Sequence, residues 1–446
     1  MAFQKTLTAE PQSRPRADAA ARPAPRTAGR TPQGRPAVAR ESATAEPQGH
    51  TPTLAACFLH FDVTFMLWVL LGALGVYIAE GLALGPSEKA MVVAIPILSG
   101  SLLRVPLGLL SDRFGGKKVG TIMLICLYGP LTLGWLSGDS LNDLMAIGAL
   151  LGVAGASFAV ALPLASRWYP PEKQGLAMGI AAAGNSGTVV TNLIAPRLAA
   201  SIGWQGVMAV AMIPLTIALI VFVLLAKDSP RRGPRPGMAQ YLRALRERDL
   251  WSFCLLYSVT FGGYVGLGSF LPLMLRDQYQ VTPVTAGLLT ALVAGIGSLS
   301  RPAGGIIADR VGGAPLLSML LGVIAVAYAA CATLPTLPVM VTVIAVLMLC
   351  LGLGNGAVFQ MVPQRFAREI GLVTGVVGAI GGIGGFILPN VLGQARAVTG
   401  SFSMGFVILT ALAAGAVLLL RALMATTVGW RGSWRADEAE AEADAA

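Results

Sequence analysis

The sequence predicts an all-α integral membrane protein of twelve transmembrane helices in two pseudo-symmetric six-helix halves. Of its 446 residues, 55% are hydrophobic and only 12% charged, where an ordinary soluble domain carries roughly a quarter charged residues. Runs of about 20 apolar residues, enough to cross a hydrocarbon core of ~30 Å as helix, recur along most of the chain. The second half repeats motifs of the first. This composition argues against a water-soluble enzyme.

The apolar runs begin near residues 61, 90, 119, 142, 175, 206, 251, 283, 315, 337, 371 and 402. Twelve crossings put both termini on one side, and the basic residues say which. Of 32 Lys and Arg, eight lie in the first 50 residues, three at the C-terminal end and fifteen in loops on the side of the termini. Only Lys89, Arg197, Arg276 and Arg396 lie opposite. Basic loops stay cytoplasmic, so both termini are expected in the cytoplasm of a cell whose inner membrane the chain crosses. The formal charge of +10 follows from this skew and implies no nucleic-acid partner. Cys57, Cys126, Cys254, Cys331 and Cys350 form no CxxC pair and no metal-ligand spacing. Free thiols are expected, with no metal and no cofactor.

Composition divides the chain into five units. Residues 1–55, rich in Ala, Pro, Arg and Thr without apolar periodicity, read as a disordered basic cytoplasmic tail in reach of membrane lipid. Residues 56–226 form the first six-helix half and 251–426 the second. Between them 227–250, with Pro230, Pro234 and Pro236 before a basic segment, read as a cytoplasmic linker, and 427–446 as an acidic cytoplasmic tail. The internal repeat supports this division. SLLRVPLGLLSDRFGG, Ser101 to Gly116, matches SLSRPAGGIIADRVGG, Ser298 to Gly313, at an offset of 197, and Gly184-Asn185-Ser186-Gly187 matches Gly381-Gly382-Ile383-Gly384 at the same offset. Such duplicated halves are the plan of transporters that hold substrate near the midplane between repeats.

Arg104 and Arg301 are the two cations inside apolar runs. Each precedes a loop acid, Asp112 or Asp309, by eight residues, about 12 Å of helix, which puts both near the bilayer centre. A charge there costs ~2.5 to 3.5 kcal/mol on insertion scales and faces a cavity or a partner. The spacing of the acids leaves none at that depth, so the pair points to an anion site. The planar guanidinium fork suits a flat oxyanion and stays charged at any physiological pH. Asn185, a buried amide, can add a donor. The glycine runs around Gly184 and Gly187 and around Gly381 and Gly384 fit either close helix packing or backbone approach to the anion. Asp112-Arg113 and Asp309-Arg310, in the loops after spans 2 and 8, read as tight turns with positive-inside charge or as a gating latch on the cytoplasmic side.

GLLSDRFGGKKVG, Gly108 to Gly120, resembles the signature loop of the major facilitator superfamily. Arg104 in SGSLLRVPLG, Arg301 in SLSRPAGG, AMGIAAAGNSG (Ala177 to Gly187) and GVVGAIGGIGGF (Gly375 to Phe386) resemble, more narrowly, the nitrate/nitrite porter family. The similarity runs from about Leu59 to Met424. It implies the major facilitator fold, nitrate and nitrite as partners, and a clamp of Arg104 and Arg301 on the anion. It further implies a hydrogen bond from Asn185, with Gly184, Gly187, Gly381 and Gly384 adjoining. Tyr257 would be a donor and Phe261 an apolar wall, with Phe158 a looser match in span 4. The start of span 1, with His60, Asp62 and Trp68, is similar to the branch of nitrate/proton symporters.

Nitrate entering a cell negative inside meets an opposing ~2.3 kcal/mol per charge per 100 mV. Uptake for nitrate assimilation therefore needs cotransported protons, whereas exchange for nitrite moves no net charge. Asp62 and Glu80 are the acids available to carry a proton, but 18 residues apart, about 27 Å of helix, the spacing places them near the two interfaces. The expectation is a monomeric nitrate transporter, with nitrate/nitrite exchange or nitrite export as the alternative. A small carboxylate is the rival anion. A non-transporting anion sensor lacks an output domain in the tails, and an intramembrane enzyme lacks HExxH, GxSxG or paired carboxylates.

Overall fold

A computed structural model describes residues 49–229, 243–366 and 370–434. The tail through residue 48, the linker's 230–242, Arg368 and the acidic end from 435 lie outside the described residues. The described chain is helical almost throughout. Eleven helices are long and apolar enough to cross a membrane: Thr51–Gly81, Pro86–Phe114, Gly116–Leu136, Leu141–Ser166, Ala177–Leu225, Arg248–Tyr279, Pro283–Val311, Gly313–Ala332, Leu337–Arg365, Leu372–Thr399 and Ser403–Thr426. The fifth has 49 residues, over 70 Å at about 1.5 Å each, and is two helices joined at Gly203, whose φ of 72° and ψ of 164° are not helical. Spans 5 and 6 are therefore 177–202 and 204–225, and the crossings number twelve.

The duplicated motif has a structural reason. Span 2 ends at Gly115 (φ 97°) and span 8 at Gly312 (φ 95°), conformations that a residue with a β-carbon adopts only under strain. Each stops its helix one or two residues after the Asp-Arg pair. At the other end, Pro86 and Pro283 open the first turn, capped by Glu88 on the Gly85 N–H (2.7 Å) and by Thr282 on the Thr285 N–H (3.2 Å).

The halves meet along spans 2 and 11, 5 and 8, and 1 and 7; the first two pairs are each other's images under the repeat. Spans 1, 4 and 7 are the most enclosed, whereas spans 6 and 12 turn Ile213, Ile217, Leu224, Leu412 and Leu418 outward, as hydrocarbon contact allows. Glycines set the closeness of the seam. A β-carbon at Gly262 of span 7 would lie 2.6 Å from the Gly384 carbonyl carbon of span 11, and one at Gly384 would meet the Ser258 carbonyl oxygen. Gly384→Ala must therefore push two backbones apart. We expect it to lower the thermal melting temperature in detergent, despite the helix propensity that alanine adds, at a cost of ~1–3 kcal/mol.

Span 1 corrects the sequence reading. Its helix starts at Thr51, not near 61, because the His50 ring accepts from the Thr53 N–H (3.0 Å) and Pro52 opens the first turn. Asp62 is thus about 16 Å inside the helix, the depth of Arg104 within span 2 by the same rise per residue. It is not near an interface, and an acid does occupy the depth of the arginines. His60 is fully buried, against Phe222 (4.6 Å) and the Gly120 carbonyl (3.2 Å). At the C-terminal end, the first residues of the unit read as an acidic cytoplasmic tail fold back. Trp430 is buried beside Phe253, and its Nε1–H donates to Asp249 (2.9 Å).

Candidate functional site

Arg104 is held by two carbonyls that local backbone geometry frees or exposes. Span 4 breaks after Gly155, and the Ala159 N–H bonds Ala156 instead of Gly155 (3.0 Å). The Gly155 carbonyl, left without its helical donor, accepts from Arg104 Nε at 3.0 Å. Nη1 donates to the carbonyl of Gly378 in span 11, across the seam. Arg104 is 1% exposed, and its Nη2 has no hydrogen-bond partner among the described residues.

Arg301 sits at the equivalent position in span 8, 8% exposed. Its Nη2 donates to the Tyr257 hydroxyl at 3.2 Å, and Nη1 is buried without a partner. Both guanidiniums lie over Phe158, 5.2 Å and 5.9 Å from the ring centroid. The two like charges repel one another, and both lie within reach of this one ring, whose negative face attracts cations. Trp68 and Phe261 complete the wall around Arg104 (5.2 and 5.0 Å), and Phe359 that around Arg301 (5.6 Å). Tyr257 stacks on Phe261 at 4.9 Å with its ring edge-on to Phe359.

The structure thus gathers Arg104, Arg301, Phe158, Tyr257 and Phe261 around one aromatic centre. Phe158, the loosest sequence match, is the ring both arginines share. Phe359 escaped the sequence reading. The offset of 197 takes Phe158 to Asn355, one helical turn before Phe359, so the repeat carried a signal for it. Asn185 is buried with an unpartnered Oδ1, in a 3-10 turn, Ala183–Ser186, that interrupts span 5. The four candidate glycines pack helices. Gly184 and Gly187 lie against the backbone of span 1 at Asp62, and Gly381 lies under the Tyr257 ring.

The remaining candidates lie apart. Asp62 is half-buried and accepts from Ser186 Oγ at 2.6 Å. Glu80 is at the end of span 1 away from the termini, paired with Arg276 of span 7 at 2.9 Å; Lys89 of span 2 pairs there with Asp277 at 2.9 Å. Both bridges join the two halves. At the termini end, Asp112 pairs with Arg167 inside the first half, and Arg365 with Glu247 (3.1 Å) and Asp249 (2.7 Å) inside the second. The Asp112 ion pair therefore does not latch one half to the other. Arg113 lies over its neighbour Phe114, and Asp309 and Arg310 are exposed at the end of span 8. Among the described residues no His, Cys, Asp and Glu cluster fits a metal ion.

Residues 56–389 match the family described as the Major Facilitator Superfamily. The chain is 35% identical over 360 residues to the nitrite extrusion protein of Bacillus subtilis (strain 168), covering 80% of this chain and 90% of that one. It is 34% identical over 388 residues to the probable nitrate/nitrite antiporter NarK1 of Thermus thermophilus, covering 80% and 87%. Among solved structures, a bacterial homologue of the human lysosomal transporter Spinster, in an inward-facing and occupied conformation, matches with a TM-score of 0.66 at 17% identity, covering 84% of this chain and 97% of that one; this likeness speaks to the fold alone. With twelve helices, a duplicated core and these relatives, the chain belongs to the Major Facilitator Superfamily and within it to the nitrate and nitrite transporters, as a membrane carrier and not an enzyme.

Proposed function

We propose that this protein takes up nitrate with protons by alternating access, binding the anion between Arg104 and Arg301. One observation carries the binding site: two buried guanidiniums flank the same ring, and each keeps one Nη group without a protein acceptor. A buried charged donor left unpaired costs ~1–3 kcal/mol or more, and an oxyanion lying between the two would satisfy both. The aromatic walls favour a small flat ion over a bulky hydrated one. Asn185 and Tyr257 supply further polar contacts, and the glycines set the helix spacing that shapes the site. The excess of basic residues in the loops on the side of the termini supports a cytoplasmic position for both, and with that orientation the Glu80–Arg276 and Lys89–Asp277 pairs close the seam on the outer side.

Proton coupling follows from the membrane potential, which opposes entry of an uncompensated anion. Exchange for nitrite is the second reading. The names of the two relatives described above favour it, and so does a site that holds two permanent positive charges when empty. Purified protein in proteoliposomes separates the two. Under an inward proton gradient, vesicles free of nitrite should accumulate nitrate about tenfold per pH unit if one proton enters with each anion. Uptake that appears only with nitrite loaded inside would establish exchange instead.

A further inference from the structure

The two acids of span 1 have different surroundings. Glu80 is a surface residue in an ion pair across the seam. Asp62 lies at the depth of the arginines and has no ion pair among the described residues. Its carboxylate accepts from Ser186 Oγ (2.6 Å) and from the Gly187 backbone N–H. The elements packed on span 1 bring no described cation to it. Span 4 has Asp143 and Arg167 at its two ends, span 5 has Arg197 near its far end, and span 6 carries no charge. Span 7 has Arg248 and Asp249 at one end and Arg276 and Asp277 at the other, and Arg301 of span 8 turns to Tyr257. Glu172 and Lys173 precede Ser186 by thirteen or more residues, about 20 Å of helix. His60 turns to Phe222 and Gly120, and Arg104 is held by Gly155 and Gly378.

Ser186 ends the turn Ala183–Ser186, which also contains Asn185 and packs on both span 1 and span 8, the helix of Arg301. Two glycines make that contact intimate: a β-carbon at Gly184 would lie 2.8 Å from the Asp62 amide nitrogen, and one at Gly187 would meet the Asp62 carbonyl. The charge on Asp62 therefore bears directly on a break in span 5 that touches the anion-binding helix of the other half.

We propose that Asp62 binds the coupled proton and that the Ala183–Ser186 turn conveys its charge state to the anion site. This rests on the symport reading above. The step is a single proton transfer. Water on the outer side gives a proton to a carboxylate oxygen, one O–H bond forms, and the same bond is broken when the proton passes to water inside. Ionised, Asp62 is an acceptor for both Ser186 and Gly187; protonated, it accepts less strongly and itself donates, so its hold on the turn changes with each cycle.

The test compares wild type, Asp62→Asn, Asp62→Glu and Ser186→Ala in proteoliposomes, with uptake driven by a proton gradient and nitrate counterflow at equal pH measured on each. Asp62→Asn should lose gradient-driven accumulation about tenfold or more while counterflow stays within several-fold of wild type, and Asp62→Glu should regain part of the accumulation. Equal accumulation by wild type and Asp62→Asn would overturn the assignment and leave symport standing. Loss of counterflow together with uptake in both Asp62→Asn and Ser186→Ala would make Asp62 a structural cap of span 5 and also overturn it. Wild type without gradient-driven accumulation would overturn symport, and this assignment with it.

Discussion

Arg104→Lys and Arg301→Lys should each lower nitrate transport by ~100-fold or more although the charge is kept, because a lysine cannot reproduce the fork. Arg104 spends Nε and Nη1 on the carbonyls of Gly155 and Gly378 and presents Nη2. Arg301 spends Nη2 on Tyr257 and presents Nη1. A single ammonium on a flexible stem can hold the scaffold or face the anion, but not both in a fixed geometry. Uptake and counterflow, measured beside a melting curve that shows the variants folded, check this. Near-normal transport by both lysine variants would refute the clamp.

The next largest effect is expected at the end of the seam away from the termini. Arg276→Glu sets a carboxylate against Glu80, beside Asp277, where an ion pair now joins the halves. Like charges so placed cost several kcal/mol, so we expect uptake to fall about tenfold or more, and the swap Glu80→Arg with Arg276→Glu to recover much of it. The native pairs are partly exposed, at 18% to 49% of their side-chain surface, and exposed pairs stabilise by only ~0–1 kcal/mol each. That weakness suits contacts that must break in every cycle. A double variant no better than the worse single one would show that the pairs do not hold the seam.

Much of this was legible in the sequence, for physical reasons that also explain what was not. Twelve spans follow from apolar length, and the paired arginines stand out because a charge at that depth is expensive. The repeat located both, since Arg104 and Arg301 share its offset. The start of span 1 was hidden because Thr51, Pro52 and Thr53 resemble the polar tail before them and the cap is a histidine ring. That error of ten residues moved Asp62 from the membrane interior to its edge. Phe359 was hidden for another reason: one aromatic in an apolar run looks like any other until the helix facing it is known. The glycine runs were visible, but only the partner helices show that they set spacing. The loop acids Asp112 and Asp309 could be read as turn residues or as a cytoplasmic latch, and only the position of Arg167 shows the Asp112 bond staying within one half.

The two arginines, alike in the repeat, differ in where their bonds lead. Arg301 is tied to its own half through Tyr257, whereas Arg104 reaches across to the Gly378 carbonyl. Any rearrangement that draws span 11 away from span 2 has to strip a buried cation of that acceptor, and a charged hydrogen bond of this kind contributes ~1.5–3 kcal/mol. A bound oxyanion can take the acceptor's place; an empty site cannot. Gly378 permits the approach, since a β-carbon there would already lie 3.3 Å from Nη1. A single peptide oxygen thereby weights the cycle toward a laden return, as exchange requires, and under proton-coupled uptake it is the bond that the empty carrier has to break on every turn.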